Sequence, residues 1–410
     1  TLQLGGASTY TGTTIVNAGT LQLENNDRLP DASAVTVNAT LDMNGFSDTF
    51  GSLAGGGLVT NNGGLTVGGT GASTTFSGTI GGGGGLTKVG GGTFTLSGAN
   101  AYIGVTTVNA GRLDVNGPGS LFGPVAVNAG GILGGTGTVG ATTVGGRIAP
   151  GNSIGTLTVN GNYVQETGST YEAELSGTGT SDLISVTGTA TIENGTTAQL
   201  VALPGAFGVG QRFTILDADG GLTGTYTTVT HNLAGSFVPT LSYTGTAVQV
   251  VLASNLSGAA DLGDNQLAIA RILDAQSLLD PTGDLLAVLN ALNPLTATEL
   301  RAVLAQIAPE ELGNTAAAGI AVGGRFQRNA VQRLHDILGL GNTGDGTGAT
   351  PRSKDTLHYL MPPDDLDSPS DGGSGPMAPA GAGGEAYRWD GWASGFGGTG
   401  DVDGNDDAAG

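Results

Sequence analysis

Gly6 to Leu23 read GASTYTGTTIVNAGTLQL and Gly98 to Val115 read GANAYIGVTTVNAGRLDV. The two stretches agree at most positions, so one structural unit recurs along the chain. Weaker echoes are AVTVNATLDM at Ala34 to Met43, PVAVNAGGIL at Pro124 to Leu133 and TLTVNGNYV at Thr156 to Val164. Each is a short strand of alternating β-branched and apolar residues that ends in Asn and then a small residue. Asn17 and Asn38 are spaced as one turn of a parallel β-helix, and so are Asn109 and Asn128. One such turn cannot bury its apolar face alone, so neighbouring turns must stack over it. Asn at the recurring corner is expected to take left-handed geometry and to hydrogen-bond along the stack, with Gly at the other tight bends.

Composition fits an elongated stack of short strands. Of 410 residues 78 are Gly, and only 11% are charged, against roughly a quarter in ordinary globular domains. The net charge of −21 argues against a nucleic-acid partner, which requires clustered Lys and Arg. With no cysteine, thiol catalysis, disulfides and Cys-based zinc sites are excluded. The opening TLQLGGASTYTG lies inside a strand pattern and carries no signal-peptide features, so a signal peptide is expected to have been removed or to lie outside these residues. No run of about 18 apolar residues predicts a transmembrane helix.

The pattern changes near Arg147. Residues 1–145 read as β-helix repeats, and 146–254 as a β-rich closing segment whose strands lengthen, among them YEAEL, RFTILDA and AVQVVLAS. Residues 255–340 have helical periodicity. Asp264 is expected to cap a helix that stops at Asp280-Pro281. DLLAVLNAL ends at Pro294, and Thr296 with Glu299 forms a capping box opening ELRAVLAQI. A last helix is expected from Phe326 to Leu338. Residues 341–384 read as a flexible linker, and 385–410 as a single short strand pattern followed by an acidic turn.

These motifs resemble a known family. TYTGTTIVNAGTLQL is similar to the autotransporter-associated β-strand repeat. GRIAPGNSIGTLTVNGNYVQETGSTYEAEL followed by DLISVTGTATI resembles the pertactin-like passenger-to-barrel junction of type V autotransporters, and WASGFGGTG resembles the first strand of their outer-membrane β-barrel. The resemblance implies a mainly β chain: a right-handed parallel β-helix (solenoid), a β-rich C-terminal cap with an autochaperone-like role, a short helical segment, a disordered linker, and truncation before the β-barrel is complete. It also implies localisation at the outer membrane or cell surface of a Gram-negative bacterium with the passenger extracellular. The implied partners are the chain's own C-terminal β-barrel, the outer-membrane assembly machinery, and a host or abiotic surface.

GNSIG at Gly151 to Gly155 fits the G-x-S-x-G pattern of a serine-hydrolase elbow. An elbow needs a helix after the turn to aim amides at an oxyanion, whereas TLTVNGNYV follows Ser153 as a period-2 strand. Only His231, His335 and His358 follow to supply a base. Ser153 is therefore read as part of a bend. GTGTVG at Gly135 to Gly140 fits a dinucleotide fingerprint but precedes a strand rather than a helix, so it too is a turn. Glu172 and Glu174 share one face of a strand and suit glycoside hydrolysis or cation binding. They are read instead as the wet face opposite Tyr171, Ala173 and Leu175, with no basic platform nearby. Arg28, Lys88 and Arg112 are the only bases before residue 146 and form no cluster of the kind polysaccharide lyases use. Asp401, Asp403, Asp406 and Asp407 lack the later Glu of a calcium loop and read as a solvated turn. Arg325, Arg328 and Arg333 lie on a helix suited to a polar barrel lumen, to anionic lipid or to plain solvent. Trp389, Trp392 and Phe396 suit an interfacial girdle.

No catalytic residue, cofactor or metal ligand is expected. The leading reading is a non-enzymatic stalk and folding cap of a surface-displayed passenger serving adhesion or display. The alternative is a polysaccharide-active β-helix, or a passenger whose catalytic domain lies N-terminal to these residues.

Overall fold

A computed structural model describes residues 1–233, 236–279 and 281–306. The chain divides into two units, Thr1–Ser254 and Asn255–Gly410.

The first unit is a parallel β-helix. Three strands recur per turn, and each pairs in parallel with the strand one turn on, as Leu2 does with Leu21, Leu21 with Leu41 and Leu41 with Val59. The walls are a nine-stranded sheet from Asp48–Phe50 to Leu222–Gly224 and two eight-stranded sheets. One of the latter runs from Thr74–Phe76 to Thr228–His231, the other from Ala99–Asn100 to Phe237–Tyr243. A five-stranded and a three-stranded sheet build the first turns. All three main sheets run on past residue 146 without a break in parallel pairing.

Short alternating strands form these walls because every second side chain points inward. Phe94, Leu113, Leu133, Ile148 and Tyr171 make one such inward file, and all are buried. Each aliphatic member contributes roughly 1.5–3 kcal/mol by leaving water, which is available only once the next turn covers it.

The corners explain much of the glycine. A Cβ on Gly84 would meet the Gly63 carbonyl oxygen at 2.1 Å, one on Gly104 would meet that of Gly84 at 2.3 Å, one on Gly123 that of Gly104 at 2.1 Å, and one on Gly140 that of Gly123 at 2.4 Å. Backbone from one turn thus occupies the space a side chain would need in the next.

The asparagines ladder as expected. Asn38 Nδ2 donates to Asn17 Oδ1 at 2.9 Å, 21 residues away, and Asn128 Nδ2 to Asn109 Oδ1 at 2.7 Å, 19 residues away. The expected left-handed geometry is not theirs, however. It belongs to Gly19, Gly111 and Gly130, two residues further on, with φ of 70°, 66° and 93°. Gly takes the bend at no steric cost, leaving the Asn amide free to ladder.

Turns grow longer toward the C-terminus. The bond from Gly155 to Asp182 spans 27 residues, and that from Thr227 to Asn194 spans 33. Parallel pairing then ends: Ala247–Ser254 runs antiparallel to Arg212–Ala218 and to Phe237–Tyr243. This reversal covers the last parallel edge of that one sheet, Arg212–Ala218, which would otherwise be left open to pairing.

In the second unit, α1 spans Asp264–Ser277, α2 Gly283–Leu292 and α3 Ala297–Ala305. The cap of α1 is Gly263, not Asp264, and its backbone N–H is taken by Gln266 Oε1 at 2.9 Å. The helix also ends at Ser277, short of Pro281. Asp274 instead draws in the preceding turn, accepting from Leu256 N at 2.7 Å and Ser257 N at 2.9 Å. α2 ends before Pro294, which cannot supply the next amide donor. The capping box at α3 is formed: Glu299 N donates to Thr296 Oγ1 and Thr296 N to Glu299 Oε2. No helix among the described residues is long and apolar enough to cross a membrane, which has no bearing on a β-barrel. The helix expected at 326–338, the linker at 341–384 and the strand at 385–410 lie outside the described residues. With them lie His335, His358, Arg325, Arg328, Arg333, Trp389, Trp392, Phe396, Asp401, Asp403, Asp406 and Asp407.

Candidate functional site

The GNSIG turn follows the strand Arg147–Pro150 and leads into Thr156–Val159. Gly151 has φ +79°, and a Cβ there would lie 1.8 Å from the Ser153 carbonyl oxygen, so only Gly fits. Arg112 holds the turn from two turns back. Its Nη2 donates to the carbonyls of Ala149 and Gly151, both at 3.1 Å, while its Nε donates to Asp114 Oδ1 at 2.6 Å. The guanidinium reaches that far because Gly134 intervenes, where a Cβ would lie 2.0 Å from Nη2. Asn152 Nδ2 adds a bond to Asn116 Oδ1 at 3.0 Å. From the other side Asp182 Oδ1 accepts from Gly155 N at 2.9 Å.

Burial raises the Asp114 carboxyl above its usual range, and Arg112 opposes that. Removing the cation therefore strands a covered acid. Arg112→Met is expected to cost about 2 kcal/mol in denaturant unfolding, discounted for the partial exposure of the pair. Adding Asp114→Leu should recover most of it; a double variant no more stable than the single would show that the pair is not the source.

Nothing in this turn activates Ser153. It is exposed, its hydroxyl has no hydrogen-bond partner among the described residues, and a strand follows it. His231, the one histidine among the described residues, lies on a strand three places along the sheet from Arg147–Pro150, about 14 Å from that strand at the usual spacing. Gly135 to Gly140 bends at Gly135, which has φ +99°, but it is not all turn as expected: Thr138–Val139 is a short strand, and no helix follows.

Glu172 and Glu174 do share the outward face opposite buried Tyr171, Ala173 and Leu175. The expectation of a purely wet face with no base nearby needs correction. Arg147 Nη1 donates to Glu172 Oε2 at 2.7 Å from the preceding turn, and Glu174 Oε2 is buried without a donor. Asp182, 1% exposed, accepts the Glu174 amide at Oδ2, at 2.9 Å. Its carboxyl is pushed up to about 7, first by burial and then by repulsion from Glu174 and Glu172, against the pull of two backbone amides. Sequence reading passed over Asp182 because eight residues and a turn separate it from Glu174.

The other early bases are engaged by backbone. Arg28 donates to the carbonyls of Asn26 and Gly5. Lys88 is buried, and its Nζ donates to those of Val89, Gly90 and Ala110; burial lowers its pKa. Asp27, Asp31 and Asp48 bring three carboxylates within 4.8 Å, a grouping hidden in the sequence because Asp48 comes from the next turn. The Asp48 oxygens are already taken by Arg28, Leu29 and Thr49 amides.

Residues 1–23 and 86–115 match the passenger-associated transport repeat. These are the two stretches whose duplication builds the first turn and a later one. The chain carries autotransporter passenger repeats. It is also similar to a protein described as an extracellular serine protease of Serratia marcescens, 29% identical over 247 residues. That likeness covers 57% of this chain and 22% of the relative, so the chain spans less than a quarter of the curated relative it matches. The matched repeats place their inward Leu and Val in the β-helix core and their Asn at a corner, so the repeat is an architectural unit.

Proposed function

We propose that this passenger chain is the stalk and folding cap of a surface-displayed protein, and that it serves adhesion or display rather than catalysis. The observation that carries this reading is the continuous parallel stack closed by the antiparallel strand Ala247–Ser254. A stack of this kind grows by adding turns to an existing edge, and a closed end gives it a firm starting edge. In this reading the passenger is extracellular, leaves the cell through its own C-terminal β-barrel assembled by the outer-membrane machinery, and meets a host or abiotic surface. Deleting the passenger from the cell surface should abolish adherence to matrix or plastic; unchanged adherence would overturn that role.

A second reading rests on the Serratia relative: the chain carries a proteolytic domain contributed by another part of its polypeptide. In both readings Ser153 is structural. Ser153→Ala should leave any hydrolase activity and the unfolding midpoint unchanged, and loss of activity in a folded variant would restore Ser153 as a nucleophile.

A further inference from the structure

We propose that Ile103, Val105, Phe122 and Pro124 form the ridge by which this chain adheres, and that its partner is an uncharged apolar solid, a hydrocarbon or aromatic polymer surface. Such a contact rests on the adhesive reading of the passenger and gives it a place and a chemistry.

Two consecutive turns place these four residues side by side. Thr106 pairs in register with Val125, and its N donates to the Pro124 carbonyl at 2.8 Å, so Val105 stands beside Pro124 at about the usual strand spacing. Gly123 sits directly on Gly104: a Cβ there would meet the Gly104 carbonyl oxygen at 2.1 Å and the Ile103 carbonyl carbon at 3.0 Å. Ile103 and Phe122 therefore flank one glycine column from one side, Val105 and Pro124 from the other. Ile103 is 71% exposed, Val105 49% and Phe122 66%, and Pro124 is exposed with them. A lone exposed apolar residue is ordinary, whereas contiguous ones on adjacent turns mark a contact surface. None of the four side chains can donate or accept a hydrogen bond, so a partner gains from them only by shedding water.

Charge decides which partner that is. Residues 49–146 carry only three charged side chains, Lys88, Arg112 and Asp114, in a chain of net charge −21. Lys88 is buried against backbone carbonyls, and Arg112 is paired with Asp114. The middle of the β-helix thus offers no unpaired ion to an ionic ligand, while the acids before and after it repel anionic surfaces. An uncharged apolar surface settles on this stretch without stripping water from an ion. Beside the ridge, Thr66, Thr87, Thr107, Ala126 and Thr143 stand in register in one outward file. These short neutral side chains keep that wall low, so a solid can reach the ridge.

The test uses the whole chain. Adsorption is measured on methyl-, hydroxyl- and carboxylate-terminated monolayers with a quartz microbalance. Half-coverage of the methyl surface should need about tenfold more Ile103→Thr/Phe122→Thr protein than wild type, with the unfolding midpoint unchanged. Should that variant fail to fold, Val105→Thr serves and should shift half-coverage in the same direction. Leu278→Thr/Leu279→Thr removes two other exposed apolar side chains and should leave half-coverage unchanged; an equal shift in both double variants would reveal indiscriminate adsorption and overturn the proposal. Raising salt from about 0.05 to about 0.5 M should not weaken binding, and weakening would overturn it in favour of an ionic contact. Tighter capture by the hydroxyl surface, or a solution dimer that Ile103→Thr/Phe122→Thr dissociates, would overturn it in favour of a glycan or a second copy of the chain. On cells, adherence lost on deleting the passenger but kept in Ile103→Thr/Phe122→Thr overturns the ridge alone. Adherence unchanged by the deletion removes the adhesive reading, and the ridge with it.

Discussion

Gly104→Val is expected to unseat the turns on either side of it and to cost about 3 kcal/mol or more. The new Cβ would lie 2.3 Å from the Gly84 carbonyl oxygen, 2.4 Å from its carbon and 2.6 Å from Gly85 N. All three atoms are backbone, so no side chain can swing aside. Relief requires the two turns to separate, which gives up parallel hydrogen bonds and inward packing together. Because each strand pairs only with the strands of the adjacent turns, the damage should stay local. Amide hydrogen exchange should rise around residues 79–125 while Thr170–Leu175 remains protected. Gly83→Ala is the matched control. It lies one residue from Gly84 in the same corner, yet nothing stands within 4 Å of its added Cβ, and its effect should fall within about 0.5 kcal/mol. Equal destabilisation by the two substitutions would refute the close-approach explanation of the glycine columns.

Tyr171→Ala is expected to cost about 3–5 kcal/mol, measured as a loss of protection across the closing segment. Tyr171 is fully buried and packs 6.4 Å from the ring of Tyr226, centroid to centroid. Its hydroxyl crosses to the Ile215 carbonyl, so one side chain joins the start of the long turns to the strand on which the antiparallel end is built. Nearby, Tyr163 and Tyr226 both donate to Gln165 Oε1, at 3.1 and 2.9 Å. Tyr171→Phe keeps the ring and removes only the polar bridge, so its cost should be about 1–2 kcal/mol. If Phe is as damaging as Ala, the polar bridge rather than packing dominates. If neither loosens the closing segment, Tyr171 is not what joins it to the repeats.

The duplicated Tyr shows where local pattern stops being informative. Tyr10 and Tyr102 occupy the same position of the repeat, and each pairs with the Thr four residues on, Thr14 or Thr106. Yet Tyr102 is fully buried and Tyr10 is 40% exposed. The shared Tyr-x-Gly-x-Thr spacing makes the same local bond, while burial depends on the turn stacked beside it. The same reasoning applies to Asp264. A helix start was legible within a residue or two from its capping chemistry, but which residue stood at the cap depended on how the preceding chain entered.

Strand alternation, the spacing of the VNAG corners, the Asn ladder and the strand that follows GNSIG all came from sequence, because each depends on residues within one repeat or one repeat apart. The turn's real partners did not. Arg112 reaches Gly151 only because Gly134 leaves a gap, Asp182 meets Glu174 only because a loop folds back, and Asp48 joins Asp27 and Asp31 only across a turn. Period is a property of residues one repeat apart and can be read along the chain. The charge environment of a carboxylate is set by whatever the stacking brings within a few ångströms, and that register exists only in the folded β-helix.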